Sequence, residues 1–170
     1  MEKRKGIVTM GGNPMTLLGD EIKVGMKAPD FIVIDNEMKE VSLKNGNGKV
    51  RIFSVVPSID TGVCSFQTRR FNEEAAKLPE VEIWTISVDL PFAQGRYCDA
   101  EGIDKVSLLS DHRLLSFGQN YGFAMEEVRL LSRGIVIIDK DDMVKYVEYV
   151  GEVTDHPDYD KALEEVRKLL

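Results

Sequence analysis

The run Pro57-Ser58-Ile59-Asp60-Thr61-Gly62-Val63-Cys64 is the part of this 170-residue chain where residue types and spacing point to reactive chemistry. An apolar stretch closes at Pro57 and a helical pattern opens at Gly62, so Cys64 falls in the first turn of a helix. In that position unpaired backbone N–H groups and the positive end of the helix dipole stabilise an anion. A cysteine so placed is biased toward thiolate, the nucleophilic form. Thr61, three residues earlier, can share the helix-terminal face with the sulfur. The same residues also allow an inert arrangement, with Thr61 as a simple cap and Cys64 packed as a small hydrophobe. Cys98 lies 98 − 64 = 34 positions further on. This is not the Cys-x-x-Cys spacing of a local dithiol motif, and on spacing alone Cys98 is either a redox partner or a core thiol.

These residues need a scaffold, and the hydrophobic pattern supplies one. Ile7–Met10 and Met15–Leu18 read as a hairpin around Gly11-Gly12-Asn13-Pro14. Phe31–Ile34 and Val41–Leu43 are short strands, and Val50–Val56 is a central strand closed by Pro57. From Gly62 the spacing turns helical, with Val63, Phe66, Ala75 and Leu78 near one stripe and Pro79 as the stop. Val81–Val88 is a strand, Pro91–Glu101 a helix, Val106–Leu109 a strand and His112–Asn120 a short helix. Ile135–Ile138 and Met143–Val150 form a hairpin about Asp139–Asp142. A last helix from Pro157 buries Tyr159, Leu163, Val166 and Leu170. Alternating strands and helices followed by a hairpin predict one α/β domain over residues 1–170, with a mixed central sheet flanked by helices and an N-terminal β-hairpin. A site at the strand-to-helix handover before Cys64 fits such a sheet.

Composition bounds the partners. The chain is 43% hydrophobic, enough for a core without disulfide or metal staples. Its 22 basic and 29 acidic residues leave a net charge of −7, which argues against nucleic acid or an anionic membrane as the partner. The sequence shows no membrane-length apolar run and no signal-peptide core, so the expected compartment is the cytoplasm. His112 and His156 have no metal-ligand spacing with the cysteines, and no metal or other cofactor is expected. Gly46-Asn47-Gly48-Lys49 lacks the residues of a phosphate loop, and Asp139–Asp142 reads as a solvated turn rather than a calcium loop. Arg69 and Arg70 read as water-facing.

Pro57-x-x-x-Thr61-x-x-Cys64 resembles the active-site signature of the peroxiredoxins, thiol peroxidases on a thioredoxin-like fold. The longer run from Pro57 to Cys64 is similar to that of the bacterial atypical two-cysteine subfamily. So is the segment Ser87–Gln94 with Arg96-Tyr97-Cys98. The Gly12-Asn13-Pro14 turn and the strand Arg133–Asp139 fit as well, so the likeness covers nearly the whole chain. It implies that Cys64 attacks hydrogen peroxide or an alkyl hydroperoxide and becomes a sulfenic acid. Thr61, the backbone N–H groups of Val63 and Cys64, and Arg133 would bind the peroxide oxygens, while Pro57 shields the sulfur. Cys98 would resolve the sulfenic acid as a Cys64–Cys98 disulfide, recycled by thioredoxin. Arg69 stands where relatives that resolve five residues later would need a cysteine. The family also implies a homodimer.

Two other readings use the same residues. A redox sensor would pass the disulfide to a partner protein without turnover. A cysteine hydrolase would pair Cys64 with His112 and have no need of Cys98.

Overall fold

The computed structural model describes residues 1–170, and its strands divide into two sheets. In chain order the strands and helices are β1 (Lys3–Met10), β2 (Asn13–Leu18), β3 (Ile32–Ile34), β4 (Glu40–Ser42), β5 (Val50–Val55), α1 (Gly62–Ala75), β6 (Val81–Ser87), α2 (Pro91–Glu101), β7 (Ser107–Ser110), α3 (Ser116–Asn120), β8 (Ala124–Met125), β9 (Leu130–Leu131), β10 (Gly134–Ile138), β11 (Val144–Tyr149) and α4 (Tyr159–Arg167). The main sheet runs β11-β10-β5-β6-β7-β3-β4, with β5, β6 and β7 parallel and the other pairings antiparallel. The smaller sheet runs β1-β2-β8-β9. The mixed α/β architecture and the N-terminal hairpin are as the sequence predicts, except that the hairpin joins the smaller sheet.

Side-chain parity along the central strands sorts the molecule into two cores. Phe53 and Val55 of β5 join Phe31, Trp84, Phe117, Tyr121 and Phe123 on one face. Phe31 alone meets four rings edge-on, at 5.2 to 6.2 Å between centroids. Each such pair adds about 0.5–1.5 kcal/mol beyond simple burial, so this face is stiff. Val50 and Ile52 point the other way, against Phe71 and Ala75 of α1 and Ala162, Leu163 and Val166 of α4. Tyr97 and Cys98 of α2 pack against the same cluster. Both cysteine-bearing helices therefore lie on one face of the sheet.

Four elements differ from the sequence reading. The inward face of α1 carries Cys64, Gln67, Thr68, Phe71, Glu74 and Ala75, whereas Phe66 is 43% exposed. Counting apolar residues misjudges this phase because buried polar residues occupy the face: Gln67 donates to Ser54 Oγ and Thr68 to the Cys64 carbonyl. The shift turns Cys64 from the flank into the interior. The helix expected from His112 starts at Ser116, where the Asp111 carboxylate caps the N–H groups of Phe117 and Gly118 at 3.1 and 2.8 Å. Leu170 lies beyond the end of α4 and is exposed. The two-residue strands β8 and β9 carry too little pattern to be read from sequence.

Asp111 is 1% exposed, and burial pushes its carboxyl up to about 6, against the pull of the two N–H donors. A carboxyl that keeps its proton longer in the folded chain than in the unfolded one stabilises the fold at low pH, and this contribution is lost as pH rises toward 6. Relative to Asp111→Asn, the parent should lose on the order of 2 kcal/mol of stability between about pH 4 and pH 6.5. Urea unfolding across that range checks this; parallel profiles would mean that Asp111 is already ionised in the fold.

Candidate active site

The loop from β5 into α1 is fixed at both ends. Thr61, with extended backbone, is the N-cap of α1: its Oγ1 accepts the Cys64 N–H at 3.3 Å and donates to the Ser58 carbonyl at 3.4 Å. The capping role read as the inert alternative is thus real, and the same hydroxyl stands at the mouth of the helix. Pro57 is buried where β5 ends, and Val63 is half-buried in the first turn. Asp89, in the loop after β6, holds this segment in place. It accepts Ser58 Oγ at 2.8 Å, Ile59 N–H at 2.9 Å and Ser87 Oγ at 2.6 Å.

Cys64 is fully buried, and the polar group that reaches its sulfur is Arg133 Nη2, at 3.0 Å. Arg133 precedes β10 and shares the side-chain parity of Ile135 and Ile137, which face the helical layer. It is 2% exposed, and its other donors are spent on neutral acceptors: Nε on the Val153 carbonyl at 2.7 Å and Nη1 on Gln67 Oε1 at 3.0 Å. Gln67 in turn donates to Ser54 Oγ at 2.8 Å. No carboxylate pairs with this guanidinium. A buried permanent cation without a counter-ion favours an anion at its remaining contact, and that contact is the Cys64 sulfur.

Cys98 sits differently. It is half-buried on α2, and burial, with a smaller contribution from Asp99, pushes its thiol up. A raised thiol carries less of the nucleophilic thiolate at neutral pH. Both thiols are free. Cys98 lines a cleft of about 540 Å³ that also touches Trp84, Asp99 and Asp104, and Cys64 does not reach that cleft. The residues beside the two cysteines do meet. Tyr97 Oη lies 2.9 Å from Ser65 Oγ and donates to the Ser65 carbonyl at 3.3 Å.

The structure therefore joins Thr61, Val63, Cys64 and Arg133 at one end of α1, and sets Cys98 on the neighbouring helix. It does not bring His112 to Cys64. The His112 backbone is tied to Ser110 Oγ at the end of β7, and its Nε2 is buried without a partner. That removes the geometric basis of the hydrolase reading. Arg70 binds Glu74 and Asp160 at the surface, and Arg69 donates to Ser65 Oγ. Gln67, Ser54, Asp89 and Tyr97 also belong to the site, and their local sequence pattern does not single them out. The one signal is for Gln67, which lies three residues after Cys64 on the same helical face.

Comparison with known proteins agrees with this geometry. A family model described as redoxin matches residues 23–163. The chain is 59% identical to a thiol peroxidase of Halalkalibacterium halodurans, over 96% of this chain and 98% of that one. It is 56% identical to a thiol peroxidase of Bacillus subtilis at the same coverage. A peroxiredoxin-like protein from Aquifex aeolicus superimposes with a TM-score of 0.91 at 36% identity, covering 98% of this chain and 99% of the other. A thiol peroxidase from Chromobacterium violaceum gives 0.85 at 22% identity over 95% of each chain, a likeness of fold alone.

If the three-pronged geometry of Arg133 matters as well as its charge, Arg133→Lys should slow oxidation of Cys64 by about 10²-fold. Stopped-flow mixing with hydrogen peroxide measures this, and a rate within twofold of the parent would show that charge alone suffices.

Proposed function

The chain belongs to the redoxin family, and from that membership we propose that it is a thiol peroxidase whose nucleophile is Cys64 and whose resolving thiol is Cys98. The contact between Arg133 Nη2 and Cys64 Sγ, in a pocket without a carboxylate, is the observation that carries the assignment. The Cys64 thiolate attacks the terminal oxygen of a hydroperoxide and the O–O bond breaks. The sulfur keeps the hydroxyl as sulfenic acid, and the departing alkoxide or hydroxide takes a proton to leave as alcohol or water. Negative charge moves from sulfur onto oxygen during this step. In this reading Arg133, the N–H of Val63 and the Thr61 hydroxyl, turned from the Ser58 carbonyl, are the donors that receive it. Pro57, buried where β5 ends, takes the shielding role in this reading.

Cys98 thiolate then attacks the sulfenic sulfur, hydroxide leaves and is protonated to water, and a Cys64–Cys98 disulfide remains. A dithiol protein of the thioredoxin type returns both thiols and takes the disulfide. The stiff aromatic face stays out of this exchange. For the two sulfurs to meet, α1 and α2 must part where Tyr97 meets Ser65, Arg69 pairs with Glu101 and Asn72 accepts the N–H groups of Asp104 and Lys105, and each intramolecular hydrogen bond contributes only about 0.5–1.5 kcal/mol net. Gly62 at the head of α1 and Gly95 inside α2 weaken the same segments.

Hydrogen peroxide and alkyl hydroperoxides are the substrates of this reading. A homodimer is part of it too, supported by Leu90 and Phe92, which stand 52% and 69% exposed at the start of α2. No helix is long and apolar enough to cross a membrane. A cytoplasmic setting, where thiols are kept reduced, is the compartment of this reading.

One equivalent of hydrogen peroxide, thiol blocking and non-reducing trypsin digestion should link peptide Ile52–Arg69 to Tyr97–Lys105. Cys64→Ser should abolish the linked pair, and Cys98→Ser should leave Cys64 oxidised but unlinked. The parent should turn over repeatedly with a thioredoxin system. A single turnover would make it a sensor, and a free Cys64 thiol after peroxide would end the peroxidase reading.

A further inference from the structure

Arg133 is aimed by the Val153 carbonyl, and that carbonyl belongs to a segment the N-terminal hairpin grips. Thr9 of β1 bonds the segment on both sides, its N–H donating to Gly151 O and its carbonyl accepting Val153 N–H, each at 2.8 Å. Glu152 completes the grip with five donors on one carboxylate. Oε1 accepts Thr9 Oγ1 at 2.7 Å and Gly12 N–H at 2.8 Å. Oε2 accepts Gly11 N–H at 3.0 Å, Thr154 N–H at 3.0 Å and Thr154 Oγ1 at 2.7 Å. These bonds hold the Glu152 carboxyl well below the usual range. Gly11 and Gly12 both have positive φ, 59° and 84°, which lets consecutive N–H groups of the tip converge on one anion.

The grip has a consequence two bonds further in. Val153 is 1% exposed, packed with Val8, Leu17 and Met125, so its side chain is locked against the hairpin while its carbonyl faces the guanidinium. Val150 N–H also donates to the Arg133 carbonyl at 3.0 Å, so this segment holds Arg133 by backbone and side chain together. A contiguous path runs from the hairpin tip through Glu152, Val153 and Arg133 to the sulfur of Cys64. No step of it uses the central sheet.

We propose that Glu152 is a positioning residue for the chemistry at Cys64: by clamping the hairpin tip onto residues 150–154 it fixes the Val153 carbonyl and keeps Arg133 on the sulfur. The hairpin is then a brace for the guanidinium. The proposal rests on the reading of Cys64 as the reactive thiol, and the two can fail separately.

The test uses the full chain in a Cys98→Ser background, with Glu152→Ala, Glu152→Gln and Thr9→Val. Folding is checked by circular dichroism and thermal melting. Two rates at Cys64 are read at neutral pH: oxidation by hydrogen peroxide and alkylation by iodoacetamide, which reports thiolate without involving peroxide. With Cys98 restored, reduction of the disulfide by thioredoxin is the third rate. Glu152→Ala should slow both Cys64 rates about tenfold and leave disulfide reduction unchanged. Glu152→Gln, which keeps one acceptor, and Thr9→Val, which removes one donor, should each slow them about threefold and supply the answer if Glu152→Ala does not fold. Folded variants with both Cys64 rates at the parent's value overturn the proposal, as does equal slowing of all three rates, which marks general loosening. Slowed alkylation in a protein whose parent ignores peroxide keeps the brace and rejects the peroxidase.

Discussion

A guanidinium with almost no exposure and no carboxylate partner is the constraint on which this molecule turns. Burying an unpaired cation is unfavourable by several kcal/mol, so the fold must surround Arg133 with acceptors and leave room for one anion. It does so from three directions: the Gln67 amide and the Cys64 sulfur on α1, and the Val153 carbonyl after β11. The strand order places β10 beside β5, and β5 delivers the chain into α1. Parity then sends Arg133 to the helical face, where the inward phase of α1 presents Cys64. Had the apolar residues of α1 set its phase, the sulfur would have faced the flank and the cation would have lacked its anion.

The arrangement that favours the thiolate also hides it. Cys64 is sealed against Arg133 while Cys98 looks into a separate acidic cleft, so on the proposed reading reaction and resolution would belong to two conformations of one helical layer. The two faces of the sheet differ in stiffness accordingly. One is an aromatic cluster with many mutually supporting contacts. The other joins its two cysteine-bearing helices through part-exposed polar contacts, Tyr97 to Ser65 and Arg69 to Glu101, the low-stability kind of contact from which moving parts are drawn.

Much of this was legible before the structure. The strands of the central sheet announce themselves as continuous apolar runs, and the cysteine at the head of a helix is a local pattern. So is the hairpin, although the turn is confined to Gly11-Gly12 and Pro14 already pairs with Thr9 in the sheet. What local pattern cannot carry is a polar contact made across the chain. Gln67 and Thr68 look like surface residues of a helix until Ser54 and a backbone carbonyl are known to meet them. Asp111 replaces a helix by a cap because its partners lie six and seven residues on, outside the usual capping spacing. Asp89, Tyr97 and Glu152 are ordinary in sequence and tie the site together through residues 30 or more positions away.

The account stands on Cys64 being the thiol that peroxide finds first. The direct measurement is to add substoichiometric hydrogen peroxide to the reduced Cys98→Ser protein with dimedone present, and locate the adduct by mass spectrometry. The structure predicts one dimedone adduct per peroxide consumed, on the peptide Ile52–Arg69, and its loss when Cys64 is replaced by serine. Peroxide consumed with no adduct on that peptide, or no peroxide consumed at all, would contradict it.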